Sequence, residues 1–154
     1  MLKRDYDNQV CSIARSLEVI GERWTMLILR DCFVGVRRFD DFQRSLGIAR
    51  NVLSTRLQRL VDAGILEKRA YEERPVRYEY RLTAKGKDLW PVLMTLSQWG
   101  DRYESEAGAP WVFEHRGCGG QVDAHLCCDR CGEPLDPRKL ERKPGPGYES
   151  IKAA

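Results

Sequence analysis

The chain has 154 residues, enough for one medium-sized domain and a small appendage. Its formal net charge of +3 does not indicate a nucleic-acid partner by itself, so the distribution of charge matters more. No apolar run approaches the ~20 residues of a membrane span, and the charged N-terminal stretch lacks the apolar segment of a signal peptide. We therefore expect a cytoplasmic protein, in which cysteines serve more often as metal ligands or reactive thiols than as disulfides.

The first part of the chain is predicted to be helical. Residues 1–9 are polar and are expected to form a flexible N-terminus. From about residue 10 to residue 46 the apolar residues recur at helical spacing, and Gly21 and Gly35 interrupt them. This pattern predicts two helices and then a short third helix that ends at a tight turn, Gly47–Ile48.

The clearest helix of the chain lies within IARNVLSTRLQRLVDAGILEKR. Leu53, Leu57, Leu60 and Val61 stand at i, i+4, i+7 and i+8, so they form one apolar stripe. Gly64 follows at the position where a helix commonly ends with a residue in the left-handed conformation.

After this helix the period of the pattern changes to two. In VRYEYRL, apolar and aromatic residues alternate with charged ones, which predicts a half-buried strand. ILEKRAY is the expected partner strand, and EERP, with Pro75 fixing its backbone, is the expected turn. The stretch 65–82 should therefore be a β-hairpin.

A long helix is predicted to follow the hairpin, with Thr83 as its N-cap. Pro91 either kinks this helix or begins a new one. The sequence GAP at 108–110 indicates a linker, and the charged tail 138–154, rich in proline and glycine, is expected to be disordered. One side of the long helix is apolar and carries Leu89, Val92, Leu93, Leu96, Trp99 and Tyr103.

This order of elements is that of a winged helix-turn-helix, so the predicted fold class is α+β, mainly α. The face of the long amphipathic helix opposite its leucines has side chains that suit base edges and phosphates. The candidate DNA-binding residues there are Asn51, Val52, Thr55, Gln58 and Arg59, flanked by Arg50 and Arg56. On the hairpin, Arg74, Arg77 and Arg81 are placed to reach an adjacent groove or the phosphate backbone.

The charge of this region agrees with a DNA-facing element. Residues 44–90 contain eleven basic and six acidic residues, a net charge of +5, which exceeds that of the whole chain. Winged helices also serve as protein-interaction modules, and the acidic pair Glu72–Glu73 near the hairpin tip argues against deep insertion into a groove.

Several motifs, spread in order over about residues 11–103, resemble the HxlR-type helix-turn-helix domain, a MarR-like family. They are the opening Cys11, IGERWT, LILRD, RRFDDFQ, GIARNVLSTRL, RYEY and LTAKG. The resemblance implies a bacterial transcriptional regulator that binds DNA as a homodimer, with a domain spanning 10–107. It also implies that the helix 50–63 enters a major groove, that the wing 71–78 lies beside it, and that the first and last helices build the dimer interface. A two-fold dimer predicts a pseudo-palindromic operator, with half-sites ~34 Å, or a multiple of that, apart.

Cys11 is a candidate redox sensor. Family members that sense oxidants or electrophiles use the cysteine at the matching position, and a cysteine that opens a helix is favoured as the thiolate by the helix dipole. The alternative is a small apolar residue packed near the dimer interface. Cys32 lies in an apolar helix end and is expected to belong to the core.

The stretch HRGCGGQVDAHLCCDRC, residues 115–131, indicates a zinc-ribbon-like module over 111–137. The proposed ligands of one Zn2+ per chain are His115, Cys118, Cys128 and Cys131. His125 is the rival fourth ligand, Cys127 is a spare, and a set of thiols without metal is the alternative. Four protein ligands close the coordination sphere, so the site would be structural rather than catalytic. Its task is left open among dimer contacts, polymerase contacts and sensing.

The sequence therefore predicts a sequence-specific DNA-binding regulator whose effector and sign of regulation are not readable. The alternative is a winged-helix and zinc-ribbon scaffold for protein interactions. An enzyme is not expected, because the sequence shows no Ser/His/Asp set and no glycine-rich phosphate loop.

Overall fold

The computed structural model describes Tyr6, Gln9 and residues 11–113. The four proposed zinc ligands, the two spare residues and the C-terminal tail lie outside the described residues, as do most of residues 1–9. The chain divides into two compact units at Leu93, and each is described by itself. The elements are α1 (Ser12–Ile20), α2 (Thr25–Phe33), α3 (Phe39–Leu46), α4 (Arg50–Asp62), β1 (Leu66–Glu73), β2 (Val76–Leu82), α5 (Ala84–Lys87) and α6 (Trp90–Tyr103). This order confirms the mixed α+β winged-helix fold.

The core of the first unit is built where α2, α3 and α4 meet the start of β1. Each fully buried leucine there contributes about 1.5–3 kcal/mol relative to an exposed position, which fixes the orientation of α4. The predicted stripe of α4 is buried at three of its four positions, and Val61 is half-buried. The residues with almost no exposure are Ile28, Leu29, Phe42, Leu53, Leu57, Leu60 and Leu66.

Helix α4 ends as its sequence predicts. Gly64 has a φ of 69°, and Ile65 donates its backbone N–H to the carbonyl of Leu60 at 2.9 Å. Gly64 itself donates to the carbonyl of Val61 at 2.9 Å, which completes a Schellman motif. Ile65 is buried, so the chain turns back onto the core as it enters β1.

The LTAKG motif completes the C-terminal end of α4. Thr83 donates its hydroxyl to the carbonyl oxygen of Gly64 at 2.7 Å, and Lys85 donates its ammonium to that of Ala63 at 2.7 Å. A lysine at the C-terminal end of a helix also complements the helix dipole. The motif therefore satisfies the carbonyl groups of the two residues that directly follow α4.

The predicted long helix after the hairpin is two helices in the structure. Thr83 is an N-cap, as expected, but it caps the short α5 by accepting the N–H of Gly86 at 3.1 Å. Pro91 lies in the first turn of α6, so it opens a new helix rather than kinking a long one. No helix in the described part of the chain is both long and apolar enough to cross a bilayer.

The turn of the hairpin is tighter than expected, because β1 extends two residues further towards it than the predicted strand ILEKRAY. β1 and β2 pair antiparallel from Leu66 and Leu82 out to Glu73 and Val76, so only Arg74 and Pro75 form the turn. A register shift leaves Tyr71 as the extra residue of a bulge in β1.

The sequence predicts that the whole of β2 is half-buried, but in the structure only its inner half is. Tyr80 and Leu82 pack on the core, but Val76 is 55% exposed and Tyr78 is 43% exposed. The outer half of the hairpin extends past the core, so the apolar alternation continues beyond it, where the Tyr78 ring lies 4.3 Å from the ammonium group of Lys68.

Two apolar stripes that helical spacing assigned to packing surfaces are exposed on this chain. In α1, Ile13 is 70% exposed and Leu17 is also exposed, while Ala14 is buried. In α6, Leu96 and Trp99 are exposed. The exposed residues of these stripes lie outside the core, whereas Leu93 of the α6 stripe is buried in it.

Candidate nucleic-acid interface

The exposed face of α4 carries most of the predicted DNA-binding residues. Asn51, Thr55, Gln58 and Arg59 are exposed, and Val52 is half-buried. They lie opposite the buried leucine stripe, so packing of that stripe sets the direction in which they point. Contact of these residues with DNA stays a prediction.

Two of these side chains hydrogen-bond within α4. The hydroxyl of Thr55 donates to the carbonyl of Asn51 at 2.9 Å, and the amide of Gln58 donates to Asp62 at 2.8 Å. Both bonds are exposed and join neighbours one helical turn apart. Such bonds contribute little net free energy, because water competes for the same groups, so both side chains can exchange them for other partners.

Arg50 ties α4 to the preceding helix. Its guanidinium donates to Gln43 at 2.9 Å and to Asp40 at 3.2 Å, and it lies 4.7 Å from the ring centre of Phe39. All three partners belong to α3, so this side chain links the two helices of the helix-turn-helix on their solvent-exposed side. The side chain remains largely exposed, so a phosphate can still approach it.

Arg56 and Arg59 share one acidic partner, Glu22, in the turn between α1 and α2. The two carboxylate oxygens of Glu22 contact the two guanidinium groups separately, and the contact with Arg59 measures 2.5 Å. Arg56 also donates its Nε–H to the carbonyl of Arg23 at 3.4 Å. Arg56, a predicted DNA-binding residue, therefore faces the protein itself. Sequence reasoning missed Glu22, because it lies far from α4 in the chain.

The wing presents its arginines partly paired with its own acids. Arg74 is exposed in the turn, and Arg77 contacts Glu72 at 3.3 Å. Arg81 contacts Glu79 at 2.6 Å. Glu72 therefore pairs with a neighbouring arginine, so its charge repels a phosphate backbone beside the wing less strongly.

A basic segment before α3 also belongs to this surface and was not among the predicted contacts. The backbone of Arg38 forms an isolated antiparallel β-bridge with Glu79 of β2. The Arg38 guanidinium lies 4.5 Å from the ring centre of Tyr71. Arg37 accepts the backbone N–H of Tyr80 at 2.8 Å through its carbonyl. The two adjacent arginines before α3 were the feature of the sequence from which this basic segment could have been predicted. The bulge at Tyr71 that presents this ring could not be foreseen.

The two described cysteines have opposite environments. Cys11 is the N-cap of α1, which agrees with its predicted place at the start of a helix, and it is exposed on the single chain. Burial raises the pKa of the Cys32 thiol to about 12, and the carboxylate of Asp31 adds to this rise. Cys32 is therefore protonated at neutral pH, which agrees with its expected place in the core.

Comparison with known proteins gives matches over most of the chain. The model of the HxlR-like helix-turn-helix family matches residues 19–107. A relative from Mycobacterium bovis, named an uncharacterised HTH-type transcriptional regulator, is 46% identical over 140 residues, which cover 90% of this chain and 89% of the relative.

Solved structures agree with this match. The crystal structure of PA1607 superposes with a TM-score of 0.80 at 36% identity, covering 90% of this chain and 97% of that one. The redox regulator HypR in its reduced form superposes with a TM-score of 0.58 at 28% identity, covering 61% of this chain and 94% of that one. The chain belongs to the HxlR-like helix-turn-helix family and is a DNA-binding transcriptional regulator.

Proposed function

We propose that this regulator binds a pseudo-palindromic operator sequence-specifically, as a homodimer in the cytoplasm. The observation that carries the proposal is the solvent face of α4. Amide, hydroxyl, methyl and guanidinium groups stand there opposite a leucine stripe that the core holds in place. Such a set can distinguish base pairs through their major-groove edges.

The wing and the N-terminal end of α3 support the same reading. Exposed Arg74, at the hairpin turn, and exposed Arg38 are basic groups outside α4 that can contact phosphates. Phosphate contacts fix the position of a protein on the duplex, while base contacts supply specificity.

The exposed apolar stripes of α1 and α6 support the proposed homodimer. Ile13 and Leu17 in α1, and Leu96, Trp99 and Tyr103 in α6, are large side chains left open to water in the single chain. Contiguous exposed apolar surface is typical of a protein-interaction site. A two-fold dimer presents two copies of α4, which is the reason for the paired half-sites.

A redox response through Cys11 is part of the proposal. Its exposure at the start of α1 leaves the sulfur accessible, and that helix is one of the two that we assign to the dimer interface. Similarity to a redox regulator is consistent with this role. Because Cys11 opens a helix that we assign to the dimer interface, its oxidation would change the distance between the two copies of α4.

We also retain the zinc-ribbon proposal for His115, Cys118, Cys128 and Cys131, as a structural module beyond the described residues. Elemental analysis of the purified protein tests it directly. One tightly bound zinc per chain supports the module, and a metal content near zero under reducing conditions rejects it.

The experiment that separates the regulator from the scaffold is a titration of labelled promoter DNA from beside the protein's own gene. We expect specific binding that is about 10³-fold or more tighter than binding to a shuffled duplex of equal length. Equal affinity for both duplexes would reject sequence-specific regulation and favour the scaffold.

A further inference from the structure

The turn between α1 and α2 holds an unusual backbone conformation. Trp24 has a φ of 80°, which places a bulky residue in the left-handed region. It is the one non-glycine residue with positive φ among the described residues. A bulky side chain is rarely found there, and such positions persist only where surrounding contacts hold them.

The same turn presents acceptor groups to α4. Glu22 offers both carboxylate oxygens to the guanidinium groups of Arg56 and Arg59, and the carbonyl of Arg23 accepts from Arg56. A single turn therefore occupies two of the arginines on the helix that faces DNA.

The two arginines differ in how firmly they are held. The Arg56 side chain is 19% exposed and has two acceptors in the turn. The Arg59 side chain is 59% exposed and has Glu22 as its ion-pair partner. Arg56 is thus a structural link between the turn and α4, whereas Arg59 can leave Glu22 without disturbing the core.

We propose that Glu22 is an intramolecular competitor of DNA phosphate for Arg59. Its carboxylate occupies the guanidinium group in the DNA-free protein, and Arg59 exchanges this carboxylate for a phosphate when the duplex binds. Arg56 stays with Glu22 in both states and keeps that carboxylate in position. The proposal rests on the proposed DNA binding and names a residue that sets its strength.

The competition weakens binding to every duplex by a similar factor, because phosphate contacts carry no sequence information. Removing the competitor should therefore raise affinity, whereas a side chain that only supported the fold would lower affinity when replaced.

The test compares Glu22→Gln with wild type, using fluorescence anisotropy on promoter and shuffled duplexes. We expect the variant to bind both duplexes about two- to thirtyfold more tightly, because the dimer releases two exposed ion pairs. Unchanged or weaker binding by a folded variant would overturn the proposal.

Glu18→Gln is the matched control, because it removes the same charge from the same region. The Glu18 carboxylate accepts the backbone N–H of Tyr6 at 2.6 Å and forms no ion pair with α4 within the described part of the chain. We expect a smaller rise in affinity from this variant. An equal rise would show that general charge, rather than contact with Arg59, is responsible, and would overturn the proposal.

A double-mutant cycle tests the contact itself. Arg59→Ala should cost about two- to thirtyfold more affinity in the Glu22→Gln background than in wild type, because no carboxylate then competes for either copy of Arg59. Equal costs in both backgrounds would overturn the proposal.

If Glu22→Gln melts at a much lower temperature than wild type, Glu22→Asp replaces it. The aspartate carboxylate keeps its charge but is set back by one methylene group, so it cannot reach both guanidinium groups. Absence of specific binding by wild type itself would instead reject the proposed function.

Discussion

Replacing Arg59 with alanine should weaken DNA binding without changing the dimer. Arg59 is exposed on α4 and loses its contact with Glu22 when it reaches a phosphate, so its net contribution is lower than that of an isolated charged hydrogen bond. We take about 1 kcal/mol per subunit, so the two copies in a dimer lose about 2 kcal/mol, or roughly 30-fold in affinity.

The dependence of binding on salt gives a second, independent magnitude. Each phosphate contact contributes about 0.9 to the slope of log K against log salt concentration, so loss of both copies should lower the slope by about 1.8. Fluorescence anisotropy between about 50 and 200 mM salt measures both quantities. Light scattering after size-exclusion chromatography checks the oligomeric state.

Arg44→Ala is a suitable control for the loss of charge. Arg44 is exposed on α3, contacts Asp41 at 3.2 Å, and lies outside the predicted DNA contacts. We expect its effect to be much smaller than that of Arg59→Ala. An unchanged affinity and slope for Arg59→Ala, or equal effects of the two variants, would refute the placement of Arg59 against DNA.

Four further predictions concern the dimer, the cysteines and the end of α4. Trp99→Glu puts a charge on the exposed stripe of α6 and should weaken the dimer about 30-fold or more, seen as monomer by light scattering; an unchanged dimer removes α6 from the interface. Mild peroxide should change the DNA affinity of wild type by about fivefold or more and leave Cys11→Ser unaffected, and an equal response of both proteins would exclude this thiol. Thr83→Val should lower the free energy of unfolding by about 1–2 kcal/mol in urea, because the carbonyl of Gly64 loses its donor; unchanged stability would refute the cap. Burial raises the pKa of Cys32 from 9.0 to about 12, so the buried neutral thiol should stabilise the fold fully below pH 9. This contribution to the free energy of unfolding should be lost as pH rises from 9 towards 12, and a Cys32→Ala variant should lack this loss in alkaline melts.

Local pattern was sufficient to predict the helix-turn-helix and its wing. Leu53, Leu57 and Leu60 recur at helical spacing, and their burial follows because this spacing puts them on one face. Gly64 ends the helix in the left-handed conformation because only glycine adopts it without steric cost. Such features depend on neighbours within one or two turns of the chain, so the order of residues is enough to infer them.

The family was also readable from sequence, because its motifs are spread in order along the domain. The structural roles of some motifs were not readable from the sequence. LTAKG reads as the start of a helix, yet in the structure Thr83 and Lys85 complete the end of α4, which precedes them by a whole hairpin. A hydrogen bond between distant segments depends on how they pack, and packing leaves no period in the sequence.

The sequence by itself determined which side chains share a face of each element, because helical and strand geometry repeat with fixed periods. Tertiary structure decided what each face meets. It exposed Ile13 and Tyr78 although their spacing suits burial, and it brought Glu22 against Arg56 and Arg59. The physical reason is that periodicity reports the chemistry of a surface, whereas the partner of that surface depends on the path of the whole chain.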